Sequence, residues 1–174
     1  LAQKLYDDSV ALLSALVYLT TLRLLLSSID VRAEAFLLGS IIPACYYFWL
    51  FYKSEAKSLK YMLLGAFFAG LALMGKGLFT MIVICSGLVV LWVYKKEYKN
   101  MLSLKWIVAL LACFVFALPE FVSLYIQFDM HPEKVVFGSQ NVSGIGWFFW
   151  DSQFGRFFNT GPIVNHNGNI WFFM

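Results

Sequence analysis

LKYMLLGAFFAGLALMGKGLFTMIVICSGLVVLWVY, residues 59 to 94, is the stretch on which the fold turns. A bilayer's hydrocarbon core is ~30 Å thick and takes roughly 20 helical residues to cross, so this run is too long for one passage. It is interrupted at Gly75-Lys76-Gly77, where two glycines flank a charge. Glycine releases the backbone from helical geometry, and the stretch therefore reads as two apolar helices, 59–75 and 78–94, meeting at a break.

Outward from this pair the same pattern recurs. Apolar runs over 10–26, 33–52 and 105–125 are each close to a membrane crossing in length, and the second and third of these carry Pro43 and Pro119. A membrane helix tolerates proline where neighbours satisfy the freed carbonyl. Residues 126–169 are polar, Gly-rich and aromatic and read as a loop, after which a further span opens over 170–174. Both termini look like cuts through a longer membrane domain, with no leader peptide visible at Leu1 to Asp8. Ala66 and Gly70, one turn apart, have the small-residue spacing that lets helices approach closely, although chance accounts for such a pair equally well.

Composition agrees. The chain is 61% hydrophobic and 13% charged, against about half and a quarter for a soluble domain, which leaves an all-α polytopic helical bundle as the fold class. The net charge of +3 does not argue for nucleic acid, because the basic residues stand in short clusters between apolar runs. Cys45, Cys85 and Cys113 lie singly inside apolar runs and read as inert helix residues.

Lysine placement sets the orientation. Lys53, Lys57 and Lys60 fall in one short connection and Lys95, Lys96, Lys99 and Lys105 in another. Cytoplasmic loops retain positive charge, so the alternate turns face outward and gather Asp30, Arg32, Glu34, Lys76, Asp129, His131, Glu133, Lys134, Asp151 and Arg156 on one membrane face. Charges near a bilayer are costly and tend to be kept for function.

Several of these have a chemistry to offer. Glu34, one turn after Asp30 at a helix start, is favoured there by the macrodipole and could also bind a cation or a substrate hydroxyl. Lys76 sits where a following helix presents free backbone N–H groups, a setting that welcomes phosphate. The segment Gly146-Trp-Phe-Phe-Trp-Asp-Ser-Gln-Phe-Gly-Arg-Phe-Phe158 reads as a short interfacial helix, with Trp147 and Trp150 at headgroup level and Arg156 able to grip a phosphate through two hydrogen bonds. His131 and His166 lack partners at metal-ligand spacing. The sequon Asn141-Val-Ser143 is too short a pattern to carry weight.

The order of Arg32-Ala-Glu34 at a span's start, Gly70-Leu-Ala-Leu-Met-Gly-Lys-Gly77 at a helix break and Trp150-Asp-Ser-Gln-Phe-Gly-Arg-Phe157 in an outer loop resembles the bacterial GT-C glycosyltransferases. Within these it is similar to the protein O-mannosyltransferases and the aminoarabinose transferase of lipid A. The resemblance implies a multi-pass protein of the bacterial inner membrane that moves a sugar, with inversion, from a polyprenyl-phosphate donor to an acceptor on the extracytoplasmic face. Lipid A, protein and surface glycan are all open as acceptors, membrane lipid is a partner, and nucleic acid is not. It implies Lys76 and Arg156 as contacts to the donor phosphate, Glu34 as a candidate catalytic acid, and Asp30, Arg32, Asp151 and Gln153 as contacts to substrate or cation. The family's Glu-Glu-His-x-x-Arg-Phe reads Asp151 to Phe157 here, with Gln153 in place of the His. No cofactor is demanded, and a divalent metal ion is the one candidate. The family's usual catalytic Asp lies in an outer loop that would precede Leu1. The rival reading is a transporter or flippase for a lipid-linked or anionic substrate, which would favour charges near the midplane and an internal repeat. A scaffold subunit without catalysis is a third.

Overall fold

The computed structural model describes residues 1–21, 34–54, 58–101, 103–136, 138–155 and 158. Asp30, Arg32, Arg156, Phe157, His166 and the span expected at 170–174 lie outside the described residues.

The described chain is a helical bundle. Helices α1 (Asp8–Thr20), α2 (Glu34–Lys53), α3 (Leu59–Lys76), α4 (Leu78–Tyr94) and α5 (Leu104–Leu124) are followed by a π-helical turn, Tyr125–Asp129, that continues α5. After a loop come one helical turn, α6 (Gly144–Gly146), and a π-helical segment, Trp147–Gly155. Among the described residues the extended structure amounts to one isolated pairing of Val136 with Ser139. Three helices are long and apolar enough to cross a membrane: Ala35–Lys53, Leu59–Lys76 and Leu104–Asp129. Asp8–Thr20 and Leu78–Tyr94 are apolar but shorter.

Helix α3 is the hub, packed against α2, α4 and α5. Its buried side is mostly small residues, Gly65, Ala66, Ala69, Gly70 and Ala72, beside Met62 and Leu73, and the small ones decide how close the neighbours come. A Cβ on Gly70 would lie 2.7 Å from Cβ of Phe116 and 3.0 Å from the carbonyl oxygen of Cys113, both on α5. One on Gly65 would lie 2.7 Å from the Phe48 ring of α2. The Ala66/Gly70 pair is thus a real close-approach surface, and α3 lets its neighbours in where its inner face carries only small residues.

The outer surface is the reverse of a soluble protein's. Along α5, Ile107, Leu111, Val115, Leu118 and Val122 are exposed while Ala109, Cys113 and Ala117 are buried. Small residues inward and large apolar ones outward is the arrangement of a helix whose outer solvent is lipid. Helix α1 buries no residue at all.

The two ends of the bundle differ. At one end the aromatic rings of α2, α4 and α5 interlock: Trp106 meets Phe51 at 5.1 Å, Trp92 at 5.1 Å and Phe48 at 6.0 Å, all edge to face. Beside them the Tyr52 hydroxyl donates to the Glu97 carboxylate at 2.9 Å and the Lys95 ammonium donates to the Tyr52 hydroxyl at 3.4 Å. Both lysine-rich turns therefore belong to this end. The opposite end is hollow.

Candidate functional site

The hollow begins at the break between α3 and α4. Helix α3 closes at Lys76, and Gly77 adopts φ +76°, ψ −159°, a conformation that only glycine reaches without strain. The Thr80 hydroxyl donates to the Gly77 carbonyl at 2.8 Å, pinning the first turn of α4. Lys76 is exposed at the junction, at the negative end of one helix dipole and beside the positive end of the next.

The aromatic segment closes over this junction. It is held by three attachments. Asp129, at the end of the π turn, accepts from the backbone N–H groups of Gly144 at 3.0 Å and Ile145 at 3.3 Å and from the Ser143 hydroxyl, so one carboxylate caps α6 and ties it to α5. Phe121 of α5 packs against Phe148 and Phe149 at 5.4 and 5.2 Å. Phe79 of α4 meets Phe154 at 5.9 Å. π-helical winding is rare and recurs at functional sites; here it delivers Ser152 and Gln153 to the bundle.

What these attachments enclose is a cavity of about 440 Å³, within the range of small-ligand clefts. Its polar side chains are Lys76, Glu120, Ser152 and Gln153, and its apolar wall includes Met74, Phe79, Trp147 and Phe148. Gln153 is 7% exposed and lies directly over Gly77, where an added Cβ would come within 2.7 Å of the Gln153 Cδ. Its Nε2 donates to the Ser152 hydroxyl at 2.9 Å, and that hydroxyl donates to the Phe148 carbonyl at 2.9 Å. The buried Oε1 accepts from none of the described residues.

Of the residues singled out in the sequence, Lys76 and Gln153 meet in this cavity. Glu34 begins α2, and the next turn of that helix reaches the same end of the bundle, since Phe36 and Leu37 come within about 4 Å of a Cβ placed on Gly75. Asp151 is half-buried but is not among the lining residues. His131 pairs with Glu133 at 2.9 Å on the surface, away from the cavity wall. Backbone hydrogen bonding, with the His131 contact, holds the Glu133 carboxyl below its ordinary range. Glu120 and Ser152 are cavity residues that the sequence reading did not select, and Trp147, read there as a headgroup anchor, also lines the cavity. For Glu120 a signal existed, because a carboxylate after Pro119, late in a span that runs toward the outer face, belongs with the other outward charges.

Among the described residues no three His, Cys, Asp or Glu side chains stand together as metal ligands. Gln153 differs from a histidine at this place in being able to ligate only through its amide oxygen, a harder and weaker donor than an imidazole nitrogen.

Such a bundle, with a cavity roofed by an aromatic segment at the end opposite its lysine-rich turns, is that of an integral multi-pass membrane protein. The sequence profile of the dolichyl-phosphate-mannose-protein mannosyltransferases matches residues 1–136. The chain belongs to that family, and so to the membrane glycosyltransferases. No curated protein and no solved structure matches it. Lys76 and Glu120 fall inside the matched region, whereas Ser152 and Gln153 fall beyond it.

Proposed function

We propose that the cavity holds the phosphate and sugar of a polyprenyl-phosphate donor, and that the protein transfers the sugar to an acceptor on the extracytoplasmic face of a bacterial inner membrane. The observation that carries this reading is the junction of Lys76 with a helix N-terminus inside a cavity of headgroup size, at the end of the bundle away from the lysine-rich turns. Lipid A, a protein or a surface glycan each fits as acceptor.

The reaction is an inverting displacement. An acceptor oxygen forms a bond to the anomeric carbon as the bond from that carbon to the phosphate oxygen breaks, and the polyprenyl phosphate leaves with the bonding pair. Negative charge grows on the leaving phosphate, and the Lys76 ammonium with the first amides of α4 meets it. Arg156, directly after the described segment in sequence, is the second proposed phosphate contact. The acceptor proton goes to a carboxylate. Glu34, whose helix starts at this end of the bundle, is a candidate for that role, as is an acid in a loop preceding Leu1. Glu120 supplies a carboxylate to the cavity wall itself. Asp30, Arg32 and Asp151 are proposed as further contacts to substrate or a cation.

Removing one such cationic contact costs about 2 to 4 kcal/mol of transition-state stabilisation. Lys76→Ala is therefore expected to slow transfer from a polyprenyl-phosphate sugar roughly a hundredfold, measured with labelled donor in proteoliposomes. An unchanged rate would remove Lys76 from the site and the reading with it.

A further inference from the structure

At 93% burial an amide oxygen without a hydrogen-bond partner is unfavourable, and its position identifies what would satisfy it. The polarity of the network fixes which amide atom this is. Phe148 offers only a carbonyl, so the Ser152 hydroxyl must spend its single hydrogen there. Ser152 can then only accept from Gln153, which requires the NH₂ group to face it. Turning the amide over would set two acceptors against each other. The oxygen is thus locked away from Ser152, and Gln153 lines the cavity close above Gly77.

An unsatisfied acceptor oxygen does not attract phosphate. It calls for an O–H or N–H donor. The same cavity offers the opposite preference at Lys76, which draws an anion. A ligand satisfying both must carry a hydroxyl and a negative charge a short distance apart. From this juxtaposition we infer that Gln153 is a specificity-determining residue which accepts a hydrogen bond from a hydroxyl of the donor sugar while Lys76 faces the sugar's phosphate. Ser152 is a positioning residue that orients the amide. The inference rests on the donor reading above and adds to it the group that distinguishes a sugar-bearing lipid from the bare lipid phosphate.

Two buried indole nitrogens, those of Trp92 and Trp106, also lack partners among the described residues. They sit in the interlocked aromatic end, edge to face with neighbouring rings, where N–H groups can lean on π faces. Neither lines the cavity. Gln153 differs in being a residue of the cavity wall.

The test compares affinities of dolichyl-phosphate mannose and of bare dolichyl phosphate for the full-length protein in nanodiscs. In the wild type the sugar-bearing lipid is expected to bind about tenfold more tightly. Gln153→Met, close in shape but without the acceptor, should remove most of that increment and leave bare dolichyl phosphate unaffected, which also reports an intact fold. Ser152→Ala should remove part of the increment. Lys76→Ala should weaken both lipids alike. If the wild type binds the two lipids equally, or if Gln153→Met weakens both by the same factor, the role of Gln153 is wrong while the Lys76 phosphate site stands. If Lys76→Ala changes neither affinity, it is the donor reading that fails.

Discussion

The two ends of this bundle are built from the same helices and solve different problems. At the lysine-rich end, large rings from α2, α4 and α5 fill the space between helix axes, with Trp106 touching three other aromatics. At the other end the same helices stop short, a glycine holds a conformation closed to other residues, and a separate aromatic segment arches over a void lined by Lys76, Glu120, Ser152 and Gln153. Packing is complete at the first end and is withheld at the second, around the cavity. The contrast teaches that aromatic abundance has two uses here, as filler at one end and as a roof at the other.

Breaking the filled end should cost stability and spare ligand binding. Trp106→Ala deletes the ring shared by α2, α4 and α5 and is expected to lose about 3 to 5 kcal/mol, seen as a lower unfolding midpoint in detergent. Donor affinity of the surviving folded protein should stay at the wild-type value. Breaking the hollow end should do the reverse. Gly77→Ala forces a Cβ into Gln153 and a side chain into a left-handed backbone, for about 1 to 3 kcal/mol of strain, and should reduce transfer tenfold or more. Gly87→Ala is its control. A Cβ there meets nothing within 4 Å, and the helix should gain roughly 0.5 to 1 kcal/mol with unchanged transfer. Asp129→Asn sharpens the comparison at the smaller end of the scale. It removes the negative charge from the side chain that accepts from Ser143, Gly144 and Ile145 and ties α6 to α5, and should raise the KM for donor through a loosened roof while leaving the unfolding midpoint nearly untouched. A fall in midpoint as large as that of Trp106→Ala would mean that the roof is part of the core.

Much of the helical framework could be read from the chain. The break at Gly77 was legible because a charge between two glycines cannot continue a buried apolar helix, and Lys76 was legible as a site residue for the same reason. Gln153 could be singled out only through a resemblance to a motif with histidine at that place. Its environment could not be read, since nothing local in Trp147–Gly155 says that this segment winds as a π-helix or that its glutamine lands on a glycine seventy-six positions earlier. The Ala66/Gly70 spacing was ambiguous until Phe116 was found against it. Small residues announce closeness without naming the partner. Glu120 was missed because a lone acid beside a proline looks like a span end, and only the tertiary fold puts it on the same cavity wall as Lys76.

The central claim is that the cavity opens on the membrane face opposite the lysine-rich turns. It is tested most directly by single-cysteine labelling in sealed, right-side-out vesicles, with Cys45, Cys85 and Cys113 replaced by alanine. Lys76→Cys should react with an impermeant maleimide added outside and be protected by polyprenyl phosphate, while Lys96→Cys should react only after the membrane is opened. Labelling of both positions from the same compartment would contradict the account.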